Sequence, residues 1–143
     1  DITVYATGVI DTAERGRFQL KRTFHVTDRP SFCRLAIERP EDFNVTLNGR
    51  RLGRADGWWI DEDIRTIEVT GFLRKGENVL VQEFDYRADM ELEPLWLIGD
   101  FGTTSLDGQP PRPGHVTLIK AERSLGTGWW VDSGLQFYGG SIS

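Results

Sequence analysis

The residues best suited to chemistry are two tryptophan doublets, each followed by an aliphatic residue and an aspartate: Trp58-Trp59-Ile60-Asp61 and Trp129-Trp130-Val131-Asp132. In a β conformation successive side chains point to opposite faces. The spacing therefore predicts Trp58 with Ile60 and Trp129 with Val131 turned inward, and Trp59 with Asp61 and Trp130 with Asp132 on the outer face. That pairing suits a sugar. A pyranose offers an apolar C–H face to an aromatic ring and a rim of hydroxyls to a carboxylate. The competing structural reading places these indoles in the core or against neighbouring domains, because large aromatic side chains are mostly buried. Trp96 alternates with Ile98 inside a predicted central strand, so core packing is its expected role.

Other reactive side chains give less. Glycoside hydrolysis needs two carboxylates flanking one bond, one with a raised pKa. Glu83 and Asp100 are the nearest candidates, but Gly-Asp beside a strand end is commonly turn chemistry. The run Asp61-Glu62-Asp63 lacks the alternating acids and central glycine of a calcium loop, and charge runs are usually solvated. No metal ligand set is assigned. His25 and His115 have neither a serine elbow nor metal-helix spacing beside them. Cys33 is the sole cysteine, which excludes an internal disulfide and a cysteine zinc site, and its apolar surroundings read as a small strand residue. Arg50, Arg51 and Arg54 follow an Asn-Gly turn and read as a solvated loop, with acidic glycans such as uronates as a lesser alternative.

Stepping outward from these residues, 143 residues make about one domain, 1–143, large enough to bury a single core. A net charge of −5 with scattered Lys and Arg argues against nucleic acid and anionic membranes as partners, and no apolar run is long enough to span a bilayer. The pattern throughout is β. Phe43, Val45 and Leu47 alternate with polar residues before Asn48-Gly49, and Phe18 to Val26 alternates with Arg22 as the exception on the apolar side. Further strands are expected at Ile2 to Val9, around Leu35 and Ile37, at Ile67 to Val69, Val79 to Tyr86, Leu95 to Phe101, His115 to Ala121, Trp129 to Val131 and Gln136 to Ile142. The segment Ala88 to Pro94 reads as a short helix or irregular loop, and the stretch 102–114 as an exposed loop. Without a helix of three turns, a two-sheet antiparallel sandwich satisfies the pattern, since each half-apolar sheet needs a covering face.

Several phrases resemble the galactose-binding-like jelly-roll domain of large bacterial glycoside hydrolases. KRTFHV (21–26), VTLNGRRL (45–52) and IEVTGFLRKGENVLVQE (67–83) are similar to the sugar-binding domain of family-two glycosidases. LWLIGDFG (95–102) and GWWVDSGLQFYGGSIS (128–143) resemble the sandwich of rhamnosidase-like enzymes, with Gln136 where that phrase commonly carries proline. The resemblance implies an all-β jelly-roll sandwich, an ancillary and non-catalytic module of a larger secreted or periplasmic enzyme, and no catalytic residue within it; a start without Met and a strand pattern running into Ser141-Ile142-Ser143 predict an excised fragment. It implies glycan and the other domains of the parent as partners, and no cofactor beyond a structural calcium held by loop carbonyls. The expected function is carbohydrate binding, with Trp59, Asp61, Trp130 and Asp132 as the ligand residues. A support domain that binds no sugar, and a small glycosidase, are the alternatives.

Overall fold

Alternation builds the strands. The structure, a computed structural model, describes residues 2–4, 8–11, 16–90, 92–105 and 116–120. In chain order these form β1 (Ile2–Val4), β2 (Gly8–Asp11), β3 (Arg17–Val26), β4 (Cys33–Glu38), β5 (Asn44–Leu47), β6 (Arg50–Arg51), β7 (Gly57–Trp59), β8 (Asp61–Glu68), β9 (Gly76–Asp85), β10 (Leu95–Gly99), β11 (Phe101–Ser105) and β12 (Val116–Lys120). The expected strands at Trp129 to Val131 and Gln136 to Ile142 lie outside the described residues, as do Trp130 and Asp132. Among the described residues helical structure is confined to short 3-10 turns at Pro40–Asp42 and Thr70–Phe72, and none is long and apolar enough to cross a membrane.

Two sheets face each other, the sandwich anticipated from the pattern. One has the order β1-β10-β4-β8-β7; the other runs β11-β12-β3-β9-β5-β6, with β2 also paired to β3. Every pairing is antiparallel except β12 against the end of β3, where Thr117 meets His25 and Leu118 meets Val26. The single strand expected over Ile2 to Val9 is instead β1 and β2, one in each sheet. Residues 102–105 of the stretch expected as an exposed loop are instead strand, and 106–114 lie outside the described residues. Phe101–Ser105 pairs with β12 as a strand, and Thr103 is buried; β-branched threonines fit a pleated surface.

The core lies between the layers. Leu20, Phe24, Val26, Leu80, Phe84 and Leu47 come from the larger sheet, and Cys33, Leu35, Ile37, Ile67, Leu95 and Leu97 from the smaller. Each set follows every second residue of its strand. Burial pushes the Cys33 thiol up to about 12, with Glu68 and Asp100 adding to the effect, so it stays protonated and unreactive at neutral pH. Arg22 takes a core position in β3, where its guanidinium donates to the Gln82 side chain on β9. Both side chains are buried, and desolvation lowers the Arg22 pKa to about 10, which keeps it charged.

The corner between β10 and β11 tolerates no added carbon. A Cβ on Gly99 would sit 2.3 Å from the Phe32 carbonyl oxygen and 3.0 Å from the Phe101 ring. Gly99→Ala is therefore expected to lower unfolding free energy by about 1–3 kcal/mol in urea titration, the usual cost of overpacking. A change below about 0.5 kcal/mol would show that the corner relaxes freely.

Candidate functional site

The outward face of the smaller sheet carries the densest mixture of aromatic and polar groups. Register places Trp96 of β10, Ala36 of β4, Thr66 of β8 and Gly57 of β7 in one row across four strands. Three strand spacings separate β10 from β7, roughly 14 Å. Yet the Trp59 and Trp96 ring centroids are only 5.7 Å apart, tilted at 54°. The two indoles therefore reach toward each other across a row whose middle residues, Ala36 and Thr66, are small. Both indoles are half-buried.

Polar groups border this pair. In the next row Arg34 of β4 lies opposite Glu68 of β8 and Ile98 of β10. The Arg34 guanidinium forms an ion pair with Asp56, while its Nε is buried without a hydrogen-bond partner. Gly57 lets these groups approach, since a Cβ there would meet the Thr66 hydroxyl at 2.8 Å and the Arg34 guanidinium at 3.6 Å. Thr70 donates its hydroxyl to Glu68 and holds that carboxyl below the usual range, with smaller help from the Thr70 N–H and Arg34. The face thus combines ring surface, a guanidinium and carboxylates.

The doublet is less covered than its alternation suggests. Trp58 lies opposite Arg65, on the inward face that the spacing predicts, yet it is 58% exposed, and Ile60 is 74% exposed. Two causes are visible. β7 is a three-residue edge strand with a bulge between Trp58 and Trp59, and Ile60 takes the left-handed region at φ 64. Trp59 lies opposite Asp61 across the hairpin, so these two predicted site residues are brought together. Asp61 is exposed, and its Oδ1 accepts the Asp63 N–H at 2.9 Å, closing the turn into β8. Trp96, expected in the core, is on the outer face; Leu95 and Leu97 take the inner positions. In Leu-Trp-Leu-Ile both faces are apolar, and periodicity does not choose between them.

The candidate carboxylates for hydrolysis have structural partners. Asp100 accepts from the Ser31 hydroxyl and, at 2.8 Å, from the Phe32 N–H, which holds its carboxyl below the usual range. Glu83 accepts from Gln19 at 3.0 Å and lies 3.6 Å from Arg17. Among the described residues no group of three or more His, Cys, Asp or Glu side chains is placed to hold a metal, and His115 lies outside them.

These hydrogen bonds set a pH dependence. Asp100 and Glu68 titrate lower in the folded chain than their ordinary values of 3.8 and 4.5. Their contribution to stability is complete above those values and is lost as pH falls through the lowered folded ones. Asp100→Asn is expected to flatten the acid limb: its urea midpoint should change less than that of the parent chain between about pH 6 and about pH 3. Identical slopes would remove Asp100 from the acid response. The chain matches no protein-family model, no curated protein and no solved structure with which it was compared.

Proposed function

We propose that this chain is a non-catalytic carbohydrate-binding domain of a secreted or periplasmic bacterial glycoside hydrolase. The observation that carries the reading is the half-buried Trp59–Trp96 pair on an outward sheet face, bordered by Arg34, Asp56 and Glu68. Rings supply an apolar surface for sugar C–H groups, and the charged border supplies donors and acceptors for hydroxyls. Among the described residues the carboxyls with displaced acidity, Glu68 and Asp100, are displaced downward, which suits hydrogen bonding rather than the raised acid of a glycosidase. Affinity for one oligosaccharide should be weak, on the order of 0.1 to 1 mM, because little area is buried and the hydroxyls were already hydrated. The resemblance to galactose-binding-like domains points the same way. Native electrophoresis through gels containing soluble polysaccharides tests this: retardation by at least one glycan is expected, and free migration in all of them overturns it.

One observation favours a second reading, a support domain that packs on its parent enzyme. Trp58 and Ile60 expose an aromatic and an aliphatic side chain side by side at one hairpin tip. Exposed aliphatic surface is what a protein interface buries and what a sugar leaves unused.

A further inference from the structure

A groove of about 830 Å³ opens between the layers, its lining distinct from the indole pair. Its floor is apolar: Phe43, Val45 and Leu52 on one side, Ile67 on the other. The Phe43 ring is held edge-on against Phe84, centroids 5.4 Å apart, so the floor is braced from beneath. The Arg39 N–H donates to the Asp63 carbonyl at 3.3 Å and ties one wall.

Arginines from separate elements converge on this groove: Arg51 from β6, Arg54 from the following loop, Arg65 from β8. Arg39 also reaches it but is neutralised by Asp42 at 3.4 Å. Among the described residues nothing gives Arg51, Arg54 or Arg65 an ion pair or a side-chain hydrogen bond. Arg65 is the telling member. It is half-buried and lies in register with the buried Ile37, on the inward face of its sheet, rather than on a solvated loop. Glu41, Glu62 and Asp63 stand in the lining as exposed acceptors.

We infer that this groove binds a hexuronate residue of an acidic glycan, its carboxylate held by Arg65 with Arg54 and Arg51. The inference rests on the carbohydrate-binding reading and deepens it. Each part of a uronate has a counterpart. The guanidiniums fit a planar carboxylate in forked hydrogen bonds, the apolar floor takes the C–H face of the ring, and Glu62 and Asp63 accept from hydroxyls. A nucleic acid fits less well, because Glu62, Asp63 and the net charge of −5 oppose a chain of phosphates.

Calorimetric titration of the whole chain with trigalacturonate and with its methyl ester, which differ in the carboxylate charge, tests the assignment. The acid is expected to bind at least roughly tenfold tighter than the ester, and Arg65→Gln to remove most of that difference. Gly53 lines the groove with open space around its Cβ position and without a left-handed φ, so Gly53→Trp fills the site without backbone strain and should abolish acid binding. All variants should keep their retention by a neutral polysaccharide. Equal affinities for acid and ester, or an Arg65→Gln chain that binds like the parent, overturn the groove assignment while neutral-glycan retention leaves the broader reading standing. Failure of every sugar, neutral and acidic, overturns both.

Discussion

Asn78→Ala is expected to cost about 3–5 kcal/mol of unfolding free energy, because four hydrogen bonds, each worth roughly 0.5–1.5 kcal/mol net, are lost together. The Asn78 side chain is fully buried. Its Nδ2 donates to the carbonyls of Arg74 at 2.7 Å and Gly76 at 3.1 Å. Its Oδ1 accepts from the Arg74 N–H at 3.0 Å and from Asn48 Nδ2 at 2.8 Å. Asn48 in turn accepts the Val79 N–H at 3.0 Å and donates to the Phe72 carbonyl at 2.9 Å. The two asparagines staple the β5–β6 turn to the loop that enters β9. Alanine removes the donor and acceptor that Asn78 places at the centre of that network. Asn78→Asp keeps the acceptors but loses both donations and buries a charge, so it should be no better at neutral pH. Urea titration measures both. A loss under about 1 kcal/mol for Asn78→Ala would mean that the loop is held by its backbone alone.

Trp59→Ala should weaken glycan binding by roughly 30-fold or more, the size of effect expected when an aromatic anchor is truncated. The indole supplies the flat apolar surface on one side of the candidate site, and its neighbour Trp96 leans against it at 5.7 Å. Truncating Trp96 should therefore have a comparable effect, and the double variant should fall short of the product, because each ring also positions the other. Trp58→Ala provides the contrast. Its side chain lies off this face at the hairpin tip, so it should change glycan affinity by less than about threefold. If Trp58→Ala proves the damaging change instead, the tip is the binding element. Both variants need a far-UV spectrum and an unfolding midpoint beside the affinity, since Trp59 and Trp96 are each half-buried.

Much of the fold is legible because alternation is strict where one face is buried. Val45 and Leu47, Leu80 and Phe84, and Leu35 and Ile37 all turn inward as their spacing requires. The Asn48-Gly49 turn is equally plain: both residues take positive φ, 54 and 78, the pair of conformations that Asn-Gly provides in tight hairpins. The site is less legible for local reasons. Trp58 keeps the face that alternation assigns it, opposite Arg65, but stays 58% exposed on a three-residue edge strand that ends in a bulge and a left-handed Ile60, and none of this leaves a mark in residue type. Trp96 sits in a strand apolar on both sides, so its outward position follows only from the pairing with Ala36. The groove arginines come from a loop and two strands, and only the closing of the sandwich brings them together. Arg22 is the opposite case. It breaks an apolar run in sequence and keeps its place on the core face through Gln82.

The central claim is that the indole pair on the smaller sheet receives sugar. Intrinsic tryptophan fluorescence of the folded chain, titrated with a panel of neutral and acidic oligosaccharides with and without calcium, tests it most directly. A saturable change with at least one glycan, reduced in Trp59→Ala and retained in Trp58→Ala, is the expected result. No change with any glycan, in a chain whose unfolding remains cooperative, would contradict the claim and favour the support domain.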